Sequence, residues 1–302
     1  MAFKKMERTP YPPRLWALVG FPGSGKSTFA AAMRGPLLVI DADQRFQEVL
    51  GLAGEVYQLS DTPADNTDYE RIAELLAENM PGAKVGTIVV DSLTTIIAPL
   101  VTRAVIDNDA ERNKNRMAAF KDKALAMRML QDAVSKWGID TLWIYHLQEG
   151  RDAQAKEQTT ATVSKTELAR LVRSINLQLE IVQEGSRRGV KVTWARRGRS
   201  GGILWDESGR WAGMPEAIEK AVYDGLSAAE QDAIEADAPA TFPNPETAIA
   251  WGVDRGAFQA LQHARNAYDK LKREAQPQTA AGMRDLWVAD VQRRLNEGIA
   301  DE

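Results

Sequence analysis

The stretch Leu15-Trp16-Ala17-Leu18-Val19-Gly20-Phe21-Pro22-Gly23-Ser24-Gly25-Lys26-Ser27-Thr28 decides how the chain is read. Its apolar start, ending at a glycine, suits a short strand buried on both faces. The turn that follows has the pattern G-x-x-x-x-G-K-[ST], and the run from Ser27 to Met33 suits a helix. The pattern has a mechanism: glycines bare successive backbone N–H groups that wrap phosphate oxygens, and the helix N-terminus adds its positive dipole. A nucleoside triphosphate site is therefore expected at Gly20, Phe21, Pro22, Gly23, Ser24, Gly25, Lys26, Ser27 and Thr28. Lys26 would reach the β- and γ-phosphates, and Ser27 would offer its hydroxyl to Mg²⁺.

Outward from this loop, short apolar runs alternate with helical stretches. Leu37 to Ile40 reads as a buried strand ending at Asp41-Ala42-Asp43, a helix follows over about Asp68 to Asn79, and Thr87 to Asp91 reads as a further strand. Asp91, closing that apolar strand, completes the expected magnesium shell. A helix over about Ala118 to Trp137 leads to a strand at Thr141 to Tyr145, and Leu177 to Val182, Val190 to Ala195 and Ile203 to Trp205 read as closing strands. The alternation predicts an α/β fold with a mainly parallel sheet covered on both faces.

After Pro215 the pattern turns helical, with Ser227 to Glu230 as a capping box. Three prolines between Pro239 and Pro245 then favour an extended linker. The expected organisation is a short arm over residues 1–14, a nucleotide-binding domain over 15–215, an acidic helix and linker over 216–245, and a small all-α module over 246–302. That module carries eight basic and nine acidic residues, so it reads as a protein-contact or assembly element rather than a DNA binder.

Composition narrows the chemistry. The 302 residues are 44% hydrophobic and 26% charged, which is ordinary for a folded globular chain. With no cysteine and only His146 and His263, disulfides and thiolate zinc sites are excluded, and any metal should be a hard, oxygen-bound ion. The N-terminal residues lack an apolar signal core, and no stretch approaches the roughly 18 apolar residues of a membrane helix. A cytoplasmic address without a membrane partner is the expectation. The net charge of −4 conceals an uneven arrangement: residues 185–200 hold six basic side chains and no acidic one, while residues 215–240 hold seven acidic ones against Lys220.

Three further signals bear on mechanism. Asp43, closing a strand just after the phosphate-loop helix, can polarise an attacking water; the alternative is that Asp41 or Asp43 simply caps the next helix. Gln148, in His146-Leu147-Gln148 at a strand tip, can sense the γ-phosphate or place water, with a loop-anchoring role open for His146. Arg196 and Arg197 can stabilise phosphoryl charge in a neighbouring subunit or hold a nucleic-acid backbone; the bland alternative is a solvated basic edge.

Together, the loop Gly20 to Thr28, the strand end Ile40-Asp41-Ala42-Asp43, the Walker B run Val89-Val90-Asp91-Ser92-Leu93, the tip His146-Leu147-Gln148 and the late basic pair resemble the RecA-like recombinases, and within them the short phage-type ATPases of the single-strand annealing class. The resemblance covers roughly Leu15 to Pro215, and only the phosphate loop and Walker B are specific motifs. It implies ATP with Mg²⁺, a homo-oligomeric ring or filament, and single-stranded DNA as partner. It places Asp43 where the family carries a catalytic glutamate, Gln148 where it carries a glutamine coupling ATP to DNA, and Arg196 and Arg197 near its trans-acting lysines. The shorter aspartate predicts weak hydrolysis. By the same resemblance two polar loops would meet DNA: about Asp107 to Ala118, with Arg112, Lys114 and Arg116, and about Glu149 to Lys165, with Arg151, Lys156 and Lys165. Lacking aromatics, they would rely on phosphate contacts.

Competing readings of the same loop are a small-molecule kinase and a helicase- or packaging-type motor. A regulatory GTPase is disfavoured, because Asn113-Lys114-Asn115-Arg116 lacks the aspartate that pairs with guanine.

Overall fold

The computed structural model describes residues 9–109, 121–151, 157–227, 230, 231, 234, 238, 239, 241–277 and 279–297. Contacts divide the chain into two units, Met1–Thr193 with Gly202–Lys220, and Trp194–Gly201 with Ala221–Glu302.

The first unit is built on a sheet. Its strands are β1 (Leu15–Gly20), β2 (Leu37–Asp41), β3 (Val56–Gln58), β4 (Thr87–Asp91), β5 (Asp140–Arg151), β6 (Glu157–Ala161), β7 (Leu177–Glu184), β8 (Arg187–Ala195) and β9 (Ile203–Trp205), in the order β3-β2-β4-β5-β1-β7-β8-β9, with β6 paired to β5. The pairs from β3 through β7 along this path are parallel, and β5–β6 and β8–β9 are antiparallel. Helices α1 (Lys26–Ala31), α2 (Tyr69–Asn79), α3 (Leu93–Asp109), α4 (Lys121–Ser135), α5 (Lys165–Ser174) and α6 (Met214–Tyr223) occur among the strands and after them. The expected fold class is therefore present: an α/β phosphate-loop nucleotide-binding fold with a mostly parallel sheet and helices at the C-terminal end of the chain.

The apolar runs that predicted buried strands form them. Every residue of β2 and β4 is buried, as parallel strands covered on both faces must be. The N-terminus of α2 is capped by Asp68, whose carboxylate accepts the N–H groups of Glu70 and Arg71, which explains why the helix begins where it does. β5 lies between β1 and β4, with Gly20 opposite His146 in one register and Asp41 opposite Asp91 in another. The phosphate loop, Asp41, Asp91 and His146 thus fall at one edge of the sheet, where open parallel sheets bind ligands.

One expected loop is a different element. Residues 149–165 were predicted to form an irregular polar loop, yet β5 runs on to Arg151 and pairs back with β6, with Leu147 opposite Ala161 and Arg151 opposite Glu157. Consecutive threonines, Thr159 and Thr160, favour an extended strand even without apolar alternation, which is why the polar pattern misled. The other expected loop begins inside α3, which continues to Asp109.

Arg14 shows why Glu216 and Glu219 are acidic. Its guanidinium, 1% exposed, donates to Glu219 through Nε (3.0 Å) and Nη2 (2.7 Å) and to Glu216 at 2.8 Å. A fork-on-fork pair of this kind compensates the buried charge through Nε and Nη2, while Nη1 is buried without a hydrogen-bond partner. It also ties the residue before β1 to α6 within the same unit.

The second unit contains α7 (Pro245–Asp254), α8 (Leu261–Ala275) and α9 (Ala280–Glu297). Asn244 caps α7 by accepting the Thr247 N–H, and Pro245 fits the first helical position. The helices close on Trp287, fully buried, stacked on Phe258 at 5.4 Å and edge-on to Tyr268 at 5.1 Å, with its indole N–H donated to Ala248 O at 2.8 Å. Gly252 permits the approach, since a Cβ there would sit 2.8 Å from the indole ring. Elsewhere in this unit the expected capping box is formed: Glu230 N–H donates to Ser227 Oγ and Ser227 N–H to Glu230 Oε2. Truncating Trp287 to alanine should cost about 3–5 kcal/mol. Hydrogen exchange should then show lost protection across α7–α9, and an unchanged pattern would mean the three helices do not depend on this ring.

Candidate functional site

The phosphate loop leaves β1 at Gly20 and enters α1 at Lys26. Gly23 and Gly25 adopt left-handed backbone with φ of 75° and 95°, a region glycine enters without the Cβ clash that other residues suffer. The Ser24 N–H closes the turn on Phe21 O at 3.1 Å, and the first-turn N–H groups of α1 lack helical partners by geometry. Lys26 curls back over this turn, donating from Nζ to Gly20 O at 3.0 Å and Phe21 O at 2.7 Å. Burial pushes its ammonium down to about 8, partly offset by Asp91 and Asp43.

Ser27 Oγ donates to Asp91 Oδ2 at 2.6 Å. Burial pushes the Asp91 carboxyl up to about 6 against the Ser27 hydrogen bond, with Asp43 and Asp41 adding repulsion. A hydroxyl and a carboxylate this close are hard oxygen donors of the kind Mg²⁺ shares with nucleotide phosphates, so the residues fit that ion. Among the described residues no group of three His, Asp or Glu side chains could hold a metal unaided.

The two strand-end aspartates separate by role. Asp41 accepts the N–H groups of Arg45 and Phe46, both at 3.1 Å, and so caps the 3-10 helix Phe46–Leu52. Asp43 faces the cavity instead. It accepts Ser92 Oγ at 3.0 Å and the Thr95 hydroxyl, and its Oδ2 lies 3.5 Å from His146 Nε2. Burial first, and then Lys26, lower the His146 imidazole from its usual value, against the opposing pull of Asp43.

These groups line one cavity of about 230 Å³, in which Lys26, Ser27, Asp43, Asp91 and His146 meet Arg45 and Glu48. Of the predicted loop residues, Pro22, Gly23, Gly25 and Thr28 also line it. Gln148 does not line it: it is exposed in the β5–β6 hairpin opposite Thr160, and His146, two residues earlier, fills the place facing Asp43. Arg196 and Arg197 are exposed in the second unit, with the Arg196 guanidinium 5.8 Å over Trp194. Arg112, Lys114, Arg116 and Lys156 lie outside the described residues, Arg151 ends β5 and Lys165 opens α5.

Much of the basic run has structural partners. Arg199 donates to Asp224 O and Gly225 O, both at 2.6 Å, and pairs with Glu230. Arg187 packs 4.5 Å over Trp205. Arg188 donates to Gly209 O at 2.8 Å and lies 5.5 Å over Trp211. Trp211, fully buried, donates its indole N–H to Gly25 O at 3.1 Å and meets Phe29 edge-on at 5.8 Å, bracing the phosphate loop.

Sequence reasoning passed over Arg45, Glu48 and the hydroxyls that hold Asp43. A signal for the last was present: Ser92, Thr94 and Thr95 follow Asp91 directly, and hydroxyls beside a strand-end carboxylate usually have a partner there.

Residues 13–194 match the family profile described as an AAA domain, AAA_24. The chain belongs to this family. Its matched AAA domain spans β1 through most of β8 and includes every residue of the cavity just described. Among solved structures the chain is similar to one titled as the crystal structure of the RadB recombinase, with 15% identity over 65% of this chain and 87% of that one, at a TM-score of 0.37. No curated protein matches. No described helix is long and apolar enough to cross a membrane.

The two shifted groups give the AAA domain a pH signature. Asp91 must be ionised to face Mg²⁺, so magnesium-nucleotide affinity should fall as pH drops through about 6. Lys26 loses its proton in the free protein as pH rises through about 8, and a bound triphosphate favours its return. At about pH 9, nucleotide binding should therefore take up protons, seen as a calorimetric enthalpy that changes with the buffer's ionisation heat. A buffer-independent enthalpy would contradict the Lys26 shift.

Proposed function

We propose that this AAA_24 protein binds and hydrolyses ATP with Mg²⁺ and acts as an oligomeric DNA recombination or single-strand annealing factor. The observation that carries the nucleotide part is the convergence of Lys26, Ser27, Asp43, Asp91 and His146 on one cavity at the end of a parallel sheet. In this reading the loop N–H groups and Lys26 hold the phosphates. Ser27 and Asp91 would hold Mg²⁺, which when bound neutralises phosphate charge. Asp43 accepts the proton of a water whose oxygen bonds to the γ-phosphorus while the bond from that phosphorus to the bridging β–γ oxygen breaks, so that ADP and inorganic phosphate leave. Ser92 and Thr95 hold Asp43 through one oxygen, which leaves the other on the His146 side.

The DNA part is supported by how the β5–β6 hairpin attaches to the same site. His146 O accepts the Thr162 N–H at 2.9 Å and the Thr162 hydroxyl at 3.0 Å, while the His146 N–H donates to Thr94 Oγ1 at 3.1 Å. The Thr94 and Thr162 hydroxyls are 2.7 Å apart. A displacement of His146 by nucleotide would thus be felt directly at the base of the hairpin, and His146 takes the coupling role first given to Gln148. Arg112, Lys114, Arg116, Arg151, Lys156 and Lys165 are proposed to bind single-stranded DNA through its phosphates. Arg196 and Arg197 are proposed to act on a neighbouring subunit's nucleotide, and the C-terminal helices to meet a protein partner.

Steady-state ATP hydrolysis measured without nucleic acid, with single strands and with duplex, at two salt concentrations, tests the whole reading. Selective, salt-sensitive stimulation by single strands is expected. Turnover that ignores DNA and appears only with small phosphate acceptors would contradict it and point to a kinase.

A further inference from the structure

The cavity holds an arginine that neither motif announces. Among the described residues lining it, the cationic side chains are Lys26 and Arg45. The backbone of Arg45 is fixed: its N–H is held by Asp41 at 3.1 Å, and the next residue, Phe46, is buried and held by the same carboxylate. Its side chain is not fixed in the same way. The guanidinium meets Glu48 fork to fork, Nε to Oε1 at 3.0 Å and Nη2 to Oε2 at 3.3 Å, with the two side chains 70% and 62% exposed. An ion pair so exposed is weak, because water screens it and both long side chains lose freedom in forming it.

Charge balance indicates what competes for Arg45. A triphosphate brings about three to four negative charges, of which Mg²⁺ and Lys26 offset about three, into a cavity already lined by Asp43, Glu48 and Asp91. A further cation is needed, and guanidinium grips phosphate oxygens with the same two parallel N–H donors it offers a carboxylate, while the γ-phosphate carries more charge than the exposed Glu48. We propose that Arg45 is the second cation of this site, and that its pairing with Glu48 is exchanged for a contact with the γ-phosphate of a bound nucleoside triphosphate. The proposal rests on the nucleotide-binding reading above. It makes Arg45 a sensor of triphosphate against diphosphate in the same chain, separate from any arginine supplied by a neighbour. It also frees Glu48 only when the γ-phosphate is present.

Calorimetric titration of the full-length protein with ATPγS and with ADP, each with Mg²⁺, tests it. Arg45→Ala should weaken ATPγS by about tenfold or more and ADP by less than about twofold. Arg45→Lys, which keeps the charge but not the fork, should fall between. Glu48→Gln removes the competing carboxylate and should tighten ATPγS by about two- to fivefold while leaving ADP unchanged. Equal losses for both nucleotides in Arg45→Ala, or no loss in either, would overturn the proposal while leaving nucleotide binding intact. Failure of the wild-type protein to bind either nucleotide would overturn both readings. Should Arg45→Ala fail to fold, the Glu48→Gln comparison decides: an unchanged preference between ATPγS and ADP overturns the exchange.

Discussion

The Lys26 ammonium is buried at the mouth of α1 and held by two carbonyls of its own loop rather than by a carboxylate. Burial of a cation is costly unless its hydrogen bonds are met, and the loop meets them only because its backbone takes the left-handed turns that Gly23 and Gly25 allow. Everything around the cavity follows from holding that loop in place. β1 fixes one end of it, α1 the other, and Trp211 grips Gly25 O from the segment after β9. A Cβ at Gly25 would meet Arg188 at 2.9 Å and Trp211 at 3.2 Å, so the brace and the glycine require each other.

The sheet then delivers the acidic groups to the same edge. Because β5 is inserted between β1 and β4, the strand that carries His146 touches both the loop strand and the Asp91 strand. Asp41, beside Asp91 in register, turns away to cap the following 3-10 helix, and that cap positions Arg45 and Glu48 over the cavity. The start of α3 contributes on two sides: Ser92 and Thr95 hold Asp43, and Thr94 holds His146 and Thr162. One helical turn therefore joins the carboxylate proposed to handle water to the hairpin proposed to meet DNA.

The fold was legible in the chain where buried strands had to be continuous and apolar: β1, β2 and β4 stand where their runs predicted, each ending in a residue that faces or supports the cavity. The phosphate loop was legible because its glycines and lysine are required at fixed spacing. What could not be read was anything set by orientation. His146 and Gln148 lie two residues apart and carry comparable chemistry, and only the path of β5 decides which one faces Asp43. Asp41 and Asp43 are likewise separated only by where the chain turns after β2. The hairpin was hidden because the sequence from Gln148 to Thr160 is largely polar, and Arg45 because its approach to the cavity depends on a cap formed by Asp41. Much of the basic run proved to be tied to backbone carbonyls, to Glu230 and to indole rings, contacts between residues distant in sequence.

The central claim is that the cavity around Lys26 binds a magnesium nucleoside triphosphate. Equilibrium binding of Mg²⁺-ATPγS by the wild-type protein and by Lys26→Ala, each confirmed folded by circular dichroism, tests it most directly. The account predicts saturable, Mg²⁺-dependent binding by the wild type and a loss of at least about a hundredfold in the variant, since the triphosphate loses a buried cation. Equal binding by both proteins, or none by the folded wild type, would contradict it.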